Sequence, residues 1–361
     1  MKLETKIAYL ILCLALPLTT ACKKTPIPAE DPQPAEVAFA ASSQATWVKT
    51  TTGEEQPEFP YDNFGVWGIA RQEGLLAPYI LWGTNSLMLV EEDEDVFVPS
   101  EAAYWLKGYT YNFLAVAPLD PTGFNLTEVK SKEDQKALTP PVQNPVDYMT
   151  FTFDMSEKYT AGNYSFDLLG AAAEQKVTSG GYSTAQDLKF WHLFSQIVIK
   201  NIGFASGISG TVNKVHLKAY PSGEYIVSYG TDASNSTSPT KVECEVIKTT
   251  SNNTAVNKSD IIFNNPNFTS AAPIIHIIPQ DVASLELYID FTINEGTPQN
   301  PIPVQYQGFK IDVTAQELDE YVYNGKYNWS ITIGTKNSIS FEVIKVNEWI
   351  DGSTNNEFPL Q

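Results

Sequence analysis

Short runs of alternating apolar and polar residues dominate the chain after residue 37. This period of two is typical of strands with one buried face and one wet face, because successive side chains point to opposite sides. The stretch LELYIDFTI shows it best, with Leu287, Ile289 and Phe291 on one side. The runs are rich in Val, Ile, Tyr, Phe and Thr and are bounded by Gly, Pro, Asn and Ser. Predicted strands cover residues 64–70, 79–82, 86–90, 109–117, 148–153, 163–169, 194–199, 211–220, 224–229, 242–248, 274–278, 285–293, 305–313, 327–333 and 338–346.

Helical signals are few. The stretches SKEDQKAL (131–138) and TAQELDEYV (314–322) each predict a short helix, and Thr314 with Glu317 gives the second a capping box. The strand spacing is typical of β-sandwiches, and no fixed-period repeat indicates a solenoid or a propeller. The sequence therefore predicts an all-β fold.

The first residues follow a different pattern. Lys2 and Lys6 flank the start of an apolar run at positions 7–18. This run is shorter than the ~20 residues that span a bilayer, and it is typical of a secretory signal. Cys22 follows the small residues at 19–21. A cysteine at that place is typical of a bacterial lipoprotein signal, in which the thiol is lipidated; ordinary secretion and a cytosolic protein are the alternatives.

Four prolines between residues 22 and 36 predict an extended tether. A second break is predicted at 171–187, where small and polar residues cluster around Gly180 and Gly181. The expected organisation is a lipoprotein signal peptide at residues 1–21, the tether at 22–36, an N-terminal β-sandwich domain at 37–185 and a C-terminal one at 186–361.

Charge and cysteine content exclude some classes of function. The formal net charge is −19, and Arg71 is the only arginine, which argues against nucleic-acid binding because phosphates are neutralised by clustered Lys and Arg. Cys13, Cys22 and Cys244 have no metal-binding spacing. Cys244 lies in the alternating stretch KVECEVI and is expected to be a structural thiol.

Catalytic motifs are missing from the sequence. His192, His216 and His276 lie in separate predicted strands or strand edges, and none has a partner at a metal-binding spacing, so each is expected to be structural. There is no nucleophile elbow and no phosphate-binding loop. The acidic run EEDED (91–95) lacks the spacing of a calcium loop and is interpreted as a solvated hairpin turn, with loose cation binding as the alternative. We expect no enzyme activity, no cofactor and no metal.

Several longer stretches together carry a resemblance. They include YWLKGYTYNFLAVAP, with Trp105, Gly108 and Tyr109, and FWHLFSQIVI, with His192 and Ser195; the others are FGVWGIA, VHLKAYPSGEYIV, GKYNWSITIG and VNEWIDG. In their order along the chain, after a lipoprotein signal, these stretches resemble the fimbrillin family of bacterial type V pilins.

The resemblance implies two transthyretin-like β-sandwich domains, export as an outer membrane lipoprotein and a place in a cell-surface fimbria. It also implies that a maturation protease removes the lipidated segment with the first strand, here 37–48. The groove left behind accepts a strand from another pilin subunit, and a head-to-tail polymer forms that supports adhesion.

The processing site departs from the family pattern, in which cleavage follows an arginine. No arginine precedes Arg71, which lies in a predicted strand, and Lys49 occupies the expected loop. Cleavage after Lys49 is one hypothesis; the other is an uncleaved subunit that keeps its lipid and anchors the filament.

The candidate donor strand is the C-terminal stretch SISFEVIKVNEWI, with Ile339, Phe341 and Val343 on one side. The same stretch also suits an ordinary last strand of the second sandwich. The predicted function is thus a structural pilin subunit. The alternative is a lipid-anchored glycan-binding protein that uses exposed aromatic side chains, although such residues more often fill sandwich cores.

Overall fold

The structure is a computed structural model that describes most of the chain between residues 34 and 346. The described residues are 34–43, 47–49, 55–57, 59–75, 77–94, 96–119, 122–180, 182–230, 240–264, 266, 272–297, 299–315, 318–334 and 339–346. The predicted signal peptide, Cys22 and the tether up to residue 33 lie outside them. None of the helices in these ranges is long and apolar enough to cross a membrane.

Strands make up most of the described chain, and the two α-helices are short: α1 (Lys132–Lys136) and α2 (Ser156–Thr160). Two 3₁₀ turns are at Val282–Ser284 and Val313–Ala315. The strands are β1 (Phe39–Ser43), β2 (Trp47–Lys49), β3 (Glu55–Pro57), β4 (Asn63–Gln72), β5 (Tyr79–Ile80), β6 (Met88–Asp93), β7 (Val96–Pro99), β8 (Tyr109–Ala117), β9 (Phe124–Lys130), β10 (Tyr148–Asp154), β11 (Leu169–Lys176), β12 (Gln186–His192), β13 (Ser195–Phe204), β14 (Gly210–Ala219), β15 (Ser222–Tyr229), β16 (Thr240–Val246), β17 (Ser259–Asn264), β18 (Ile274–Ile277), β19 (Gln280–Asp281), β20 (Glu286–Thr297), β21 (Asn300–Ile311), β22 (Glu320–Tyr321), β23 (Lys326–Ile333) and β24 (Ile339–Val346). The all-β prediction is confirmed.

A ring of seven strands forms the first part of the fold. The pairing order is β4-β6-β7-β1-β12-β11-β8, and β8 pairs back to β4, so the ring closes. Its interior is apolar, with Phe39, Phe64, Phe113 and Phe190 fully buried in one cluster. Because β8 is buried on both faces, its sequence YNFLAVA is almost continuously apolar rather than alternating.

A four-stranded sheet covers the outside of this ring. Its order is β16-β15-β10-β9. Leu114 and Val116 of β8 point away from the ring interior and share a core with Phe151 of β10 and Val227 of β15. The ring and this covering sheet are called the first unit below.

Two further sheets form the second unit, in the orders β18-β13-β23-β24 and β17-β14-β20-β21. Both contribute to the same apolar cluster as the covering sheet, with Trp329 and Ile331 from the first and Leu287 and Phe291 from the second. In β20 the apolar positions are buried and the positions between them are half-buried, as the alternation predicts.

The strands do not divide between the two units at the expected boundary of 185 and 186. Strand β12 completes the ring, and β15 and β16 belong to the covering sheet of the first unit, although all three follow residue 185. The chain therefore enters the second unit with β13, returns with β15 and leaves again after β16. Local composition marks breaks between strands, whereas sheet membership depends on pairing partners that are distant in sequence.

One predicted helix is present and one is not. Ser131 caps α1 by accepting a hydrogen bond from the Asp134 amide, and the Asp134 side chain completes a capping box. The helix predicted for 314–322 is wrong over its described C-terminal part, because Glu320 and Tyr321 form β22 and pair with β19. Tyr321 is buried in the core of the second unit, so tertiary burial overrides the local helical signal.

Candidate functional site

The first strand is held inside the ring by few backbone contacts. β1 runs parallel to β12 over five residue pairs, from Phe39 opposite Gln186 to Ser43 opposite Phe190. On its other side it pairs with β7 at one position, Phe39 opposite Phe97. Outside the strand, the Val37 amide donates to the Ala103 carbonyl at 2.8 Å. β1 is thus internal to the sheet, yet short.

The side chains of this strand fill the ring core. Val37 and Phe39 are buried, and the Phe39 ring meets Phe64 and Phe113 edge-to-face at centroid distances of 5.8 and 5.1 Å. Because residues alternate, Ala38 and Ala40 face the other way and are only half-buried. Removal of β1 would leave an empty apolar slot between β7 and β12, centred on the position that Phe39 now fills.

A separate hairpin follows β1 and contains Lys49. The predicted first strand 37–48 is divided between β1 and β2, and β2 pairs with β3, Lys49 opposite Glu55. Within the described residues, β2 and β3 pair only with each other. Residues 50–54, between β2 and β3 in the sequence, lie outside the described part of the chain.

Arg71, the only arginine, is fixed near the end of β4. Its guanidinium donates two hydrogen bonds to Glu133, at 2.9 and 2.6 Å, and two to Asp147, at 2.8 and 2.6 Å. It also donates to the Asn112 side chain at 2.9 Å. Only 13% of the Arg71 side chain is exposed. A protease that cuts after arginine would therefore not find this residue in an extended, accessible loop.

These ion pairs outweigh the cost of burial. Burial disfavours the charged guanidinium, but the hydrogen bonds and charges of Glu133 and Asp147 raise the pKa of Arg71. Burial likewise opposes ionisation of Glu133, whereas the hydrogen bonds and charge of Arg71 lower the pKa of that carboxyl below its usual range. The network joins β4 to α1 and to the start of β10.

The predicted donor residues lie in the second unit. Ile339, Phe341 and Val343 belong to β24, which pairs antiparallel with β23 at the edge of its sheet. Phe341 is buried against Trp329, with ring centroids 5.2 Å apart. Ile339 and Val343 pack partly buried against the same core. In this structure the stretch is the last strand of its own sheet.

The histidines are separated, each with a different partner. His192 contacts the Asp167 carboxylate through Nδ1, and His216 contacts Asp260 at 2.7 Å. His276 Nδ1 lies 3.0 Å from a backbone carbonyl oxygen. Among the described residues, no group of His, Cys, Asp and Glu has a geometry that suits a metal ion.

The acidic run at 91–95 and Cys244 were also singled out in the sequence. In the acidic run, residues 91–93 form the exposed end of β6 and Glu94 begins the turn to β7, with Asp93 opposite Val96; Asp95 lies outside the described residues. Cys244 lies in β16, where burial of its thiol raises the pKa to about 12. A thiol with such a pKa is protonated at neutral pH and is a poor nucleophile, which suits a structural role.

Sequence reasoning missed two features of this region. It did not predict β12, the parallel partner of β1, and it did not find the carboxylates around Arg71. The stretch QDLKFWH does alternate, with Gln186, Leu188 and Phe190 buried, so a signal for β12 was present. Nothing in the sequence joins Arg71 to Glu133 and Asp147, which are 62 and 76 residues away.

Comparisons with known proteins place the chain in a family. Its sequence matches the fimbrillin-like family over residues 58–349, whereas no curated protein matches it. A fimbrial protein from Bacteroides vulgatus has a similar structure, with 14% identity and a TM-score of 0.52 over 86% of this chain and 99% of that one. A proposed cell adhesion protein from Bacteroides uniformis aligns at 15% identity and a TM-score of 0.44, over 87% and 98%. The family match covers most of the chain, and the chain therefore belongs to the fimbrillin-like family.

Proposed function

We propose that this chain is a structural subunit of a cell-surface fimbria and that it assembles by strand exchange. The observation that carries the proposal is the state of β1. This strand fills an apolar slot between β7 and β12 with Val37 and Phe39, yet it pairs with β7 at a single position. The family membership supports a fimbrial role, and the slot supports the mechanism.

The physical reason is the cost of an empty slot. A sheet that loses an internal strand exposes two rows of backbone donors and acceptors together with an apolar cavity. A strand from a neighbouring subunit satisfies both, and the side-chain pockets set its register. Because such a contact is heterologous and does not close on itself, repetition gives a filament.

Release of β1 requires a cut between it and β4. We propose Lys49 as the processing site, because the β2–β3 hairpin pairs only with itself among the described strands. A cut after Lys49 would leave all pairings of β4 in place. It would also separate the fold from Cys22, which we propose is lipidated and holds the precursor in the outer membrane.

The donated strand is proposed to be β24 or the chain around it. Among the described strands, β24 pairs along one edge only, and Ile339, Phe341 and Val343 give it an apolar face at alternate positions. If β24 left its sheet, one side of β23 would be exposed. The alternative is that β24 stays in place as an ordinary last strand of the second sandwich.

Limited trypsin treatment of the purified precursor tests the proposal. We expect cleavage after Lys49, followed by ladders on SDS gels that resist the detergent without boiling. The matched control is Lys49→Gln, which should keep an N-terminal segment attached and give no ladder. A mature N-terminus at lipidated Cys22 in assembled material, found by mass spectrometry, would contradict the processing step. A strictly monomeric product after cleavage at Lys49 would contradict strand exchange, and binding of that monomer to glycans would favour an adhesin without a polymer.

A further inference from the structure

Exposed large apolar side chains are concentrated in the first unit. Of the nine found among the described residues, two belong to the second unit, Ile274 and Ile302. The other seven are Leu75, Tyr79, Tyr104, Leu106, Leu138, Val142 and Val146. Scattered exposed apolar residues are normal, but a cluster of them on one surface is typical of an interaction site.

Backbone contacts place these residues at one end of the ring, here called the pole, where β4 ends and β8 begins. Gln72 of β4 pairs with Tyr109 of β8. The Leu75 amide donates to the Gln72 carbonyl at 3.2 Å, and the Tyr109 amide donates to the Leu106 carbonyl at 3.3 Å. Leu75 and Leu106, which are 60% and 40% exposed, therefore flank the same pair of strand ends.

Tyr79 lies at the pole because it pairs with Ala70 of β4, whereas the loop after α1, with Leu138, Val142 and Val146, is tied to the pole by the Arg71 network. Arg71 precedes Gln72 and binds Glu133 of α1. The amides of Leu138 and Val142 both donate to the Gln135 carbonyl of α1, at 3.3 Å. The ion pairs thus hold the apolar loop after α1 beside the end of β4. A depression of about 520 Å³ lies here, lined in part by Leu75, Pro78 and Glu133.

The slot of β1 opens at this pole. The Ala35 carbonyl accepts a hydrogen bond from the Trp105 amide at 2.9 Å, and Glu36 forms a β-bridge with Tyr104. Ala103 and Trp105 are buried, whereas Tyr104 and Leu106 alternate with them and are exposed. Two apolar side chains of the pole therefore stand beside the point where the chain enters β1.

The other end of the slot leads to the second unit and lies near an acidic turn. There Ser43 pairs with Phe190, and β12 continues after His192 directly into β13 of the second unit. The exposed acidic turn between β6 and β7 also lies away from the pole, because Glu91 of β6 pairs with Asn63 at the start of β4, whereas β4 ends at the pole. A second copy of this chain, with a formal net charge of −19, would be repelled from that end.

We propose that the pole is the docking surface for the next copy of this chain in the fimbria, so that the donated strand enters the slot at the Ala35 end. This inference rests on the proposed strand exchange and adds its direction. A C-terminal strand that enters at the pole would run the same way as β1 and keep its parallel pairing with β12. The apolar side chains around the entry would be covered by the body of the neighbour.

The first test compares the two ends of the slot with the same introduced residue. The variant Leu75→Gln/Leu106→Gln alters the pole, and Glu92→Gln alters the acidic turn. All three positions are exposed, so the unfolding midpoints should match the wild type. In the trypsin-triggered assembly of the full chain, we expect the pole variant to form ladders about tenfold more slowly and Glu92→Gln to stay within about twofold.

The second test locates the neighbour directly. Leu106→Cys and Glu92→Cys are labelled with a thiol-reactive benzophenone, with the labelled wild type as background, and irradiated after assembly. Cross-links to a second copy from position 106 and not from position 92 support the docking pole. Cross-links from position 92 alone, or equal ladder rates in the first test, overturn it and leave strand exchange standing. If the wild type forms no ladder, strand exchange itself fails and the docking pole fails with it.

Discussion

The first and last described strands belong to their sheets in opposite ways. β1 has five residues, lies inside a closed ring and has a partner on each side, although β7 meets it at only one position. β24 has eight residues, lies at the edge of its sheet and has one antiparallel partner along its full length. One strand is enclosed but weakly paired, and the other is well paired but open on one side.

The difference bears on the roles proposed for the two strands in strand exchange. Loss of β1 opens a core, because Phe39 is fully buried between two aromatic rings. Loss of β24 uncovers one face of an edge strand, where Phe341 contacts the ring of Trp329. An acceptor needs an enclosed slot that only another strand can fill, and a donor needs a strand that can leave without opening a ring. The slot of β1 and the edge position of β24 are consistent with the proposed roles of acceptor and donor.

The largest expected effect on the free energy of unfolding comes from removing the Phe39 ring. Phe39→Ala should lower the free energy of unfolding by about 4 kcal/mol, because it leaves a cavity in a closed core. Urea unfolding of the uncleaved chain measures it. Ala40→Ser, on the half-buried side of the same strand, is the control and should change the value by less than about 1 kcal/mol. Equal effects at both positions would mean that β1 is not anchored by its buried side chains.

A smaller effect is expected at the last strand. Phe341→Ala should cost about 2 kcal/mol in the same urea experiment, since 7% of the residue is exposed and the edge can relax around the gap. A value as large as that of Phe39→Ala would remove the contrast between the two strands. It would also argue against β24 as a strand that leaves its sheet easily.

The positions of the strands could be predicted in part from the sequence, whereas their pairing could not. Alternation predicted strands at most of the observed positions, and 109–117 coincides with β8. It did not predict β9, β12 or β17, whose runs are short or interrupted by charges. The pattern records which face of a strand is buried and carries no information on which strand lies beside it. For this reason the return of β15 and β16 to the first unit was not foreseen.

The candidate site was predicted in the same uneven way. Val37 and Phe39 alternate with alanines, so a strand near the N-terminus followed from the sequence. Its parallel pairing with β12 and the pole around Leu75 and Leu106 did not, because both depend on contacts between distant segments. The role of Arg71 is similar: its position in a strand was predicted, whereas its carboxylate partners are known only from the fold.

A pH-dependent effect of moderate size is expected at the pole. The folded-state pKa of Glu133 is lowered by Arg71, so its contribution is present above the unfolded pKa of about 4.3 and is lost as pH falls through the folded pKa. Glu133→Gln should therefore flatten the fall in stability between pH 5 and pH 3, by about 1 kcal/mol. Unfolding midpoints measured across this range test it, and Glu101→Gln, at an exposed position away from Arg71, should leave the fall unchanged.

The smallest effect is expected on the labelling rate of Cys244 in β16, a strand that takes no part in the proposed exchange. β16 is an edge strand like β24, but it belongs to the covering sheet of the first unit. Its Cys244 thiol has a pKa of about 12, so only about one in ten thousand is ionised at pH 8, and labelling by a thiol reagent should be slow. If exchange is confined to β1 and its donor, cleavage and assembly should change this labelling rate by less than about twofold. A marked rise on cleavage would mean that loss of β1 loosens the covering sheet as well, and the slot would then be part of a larger opening rather than a site prepared for one strand.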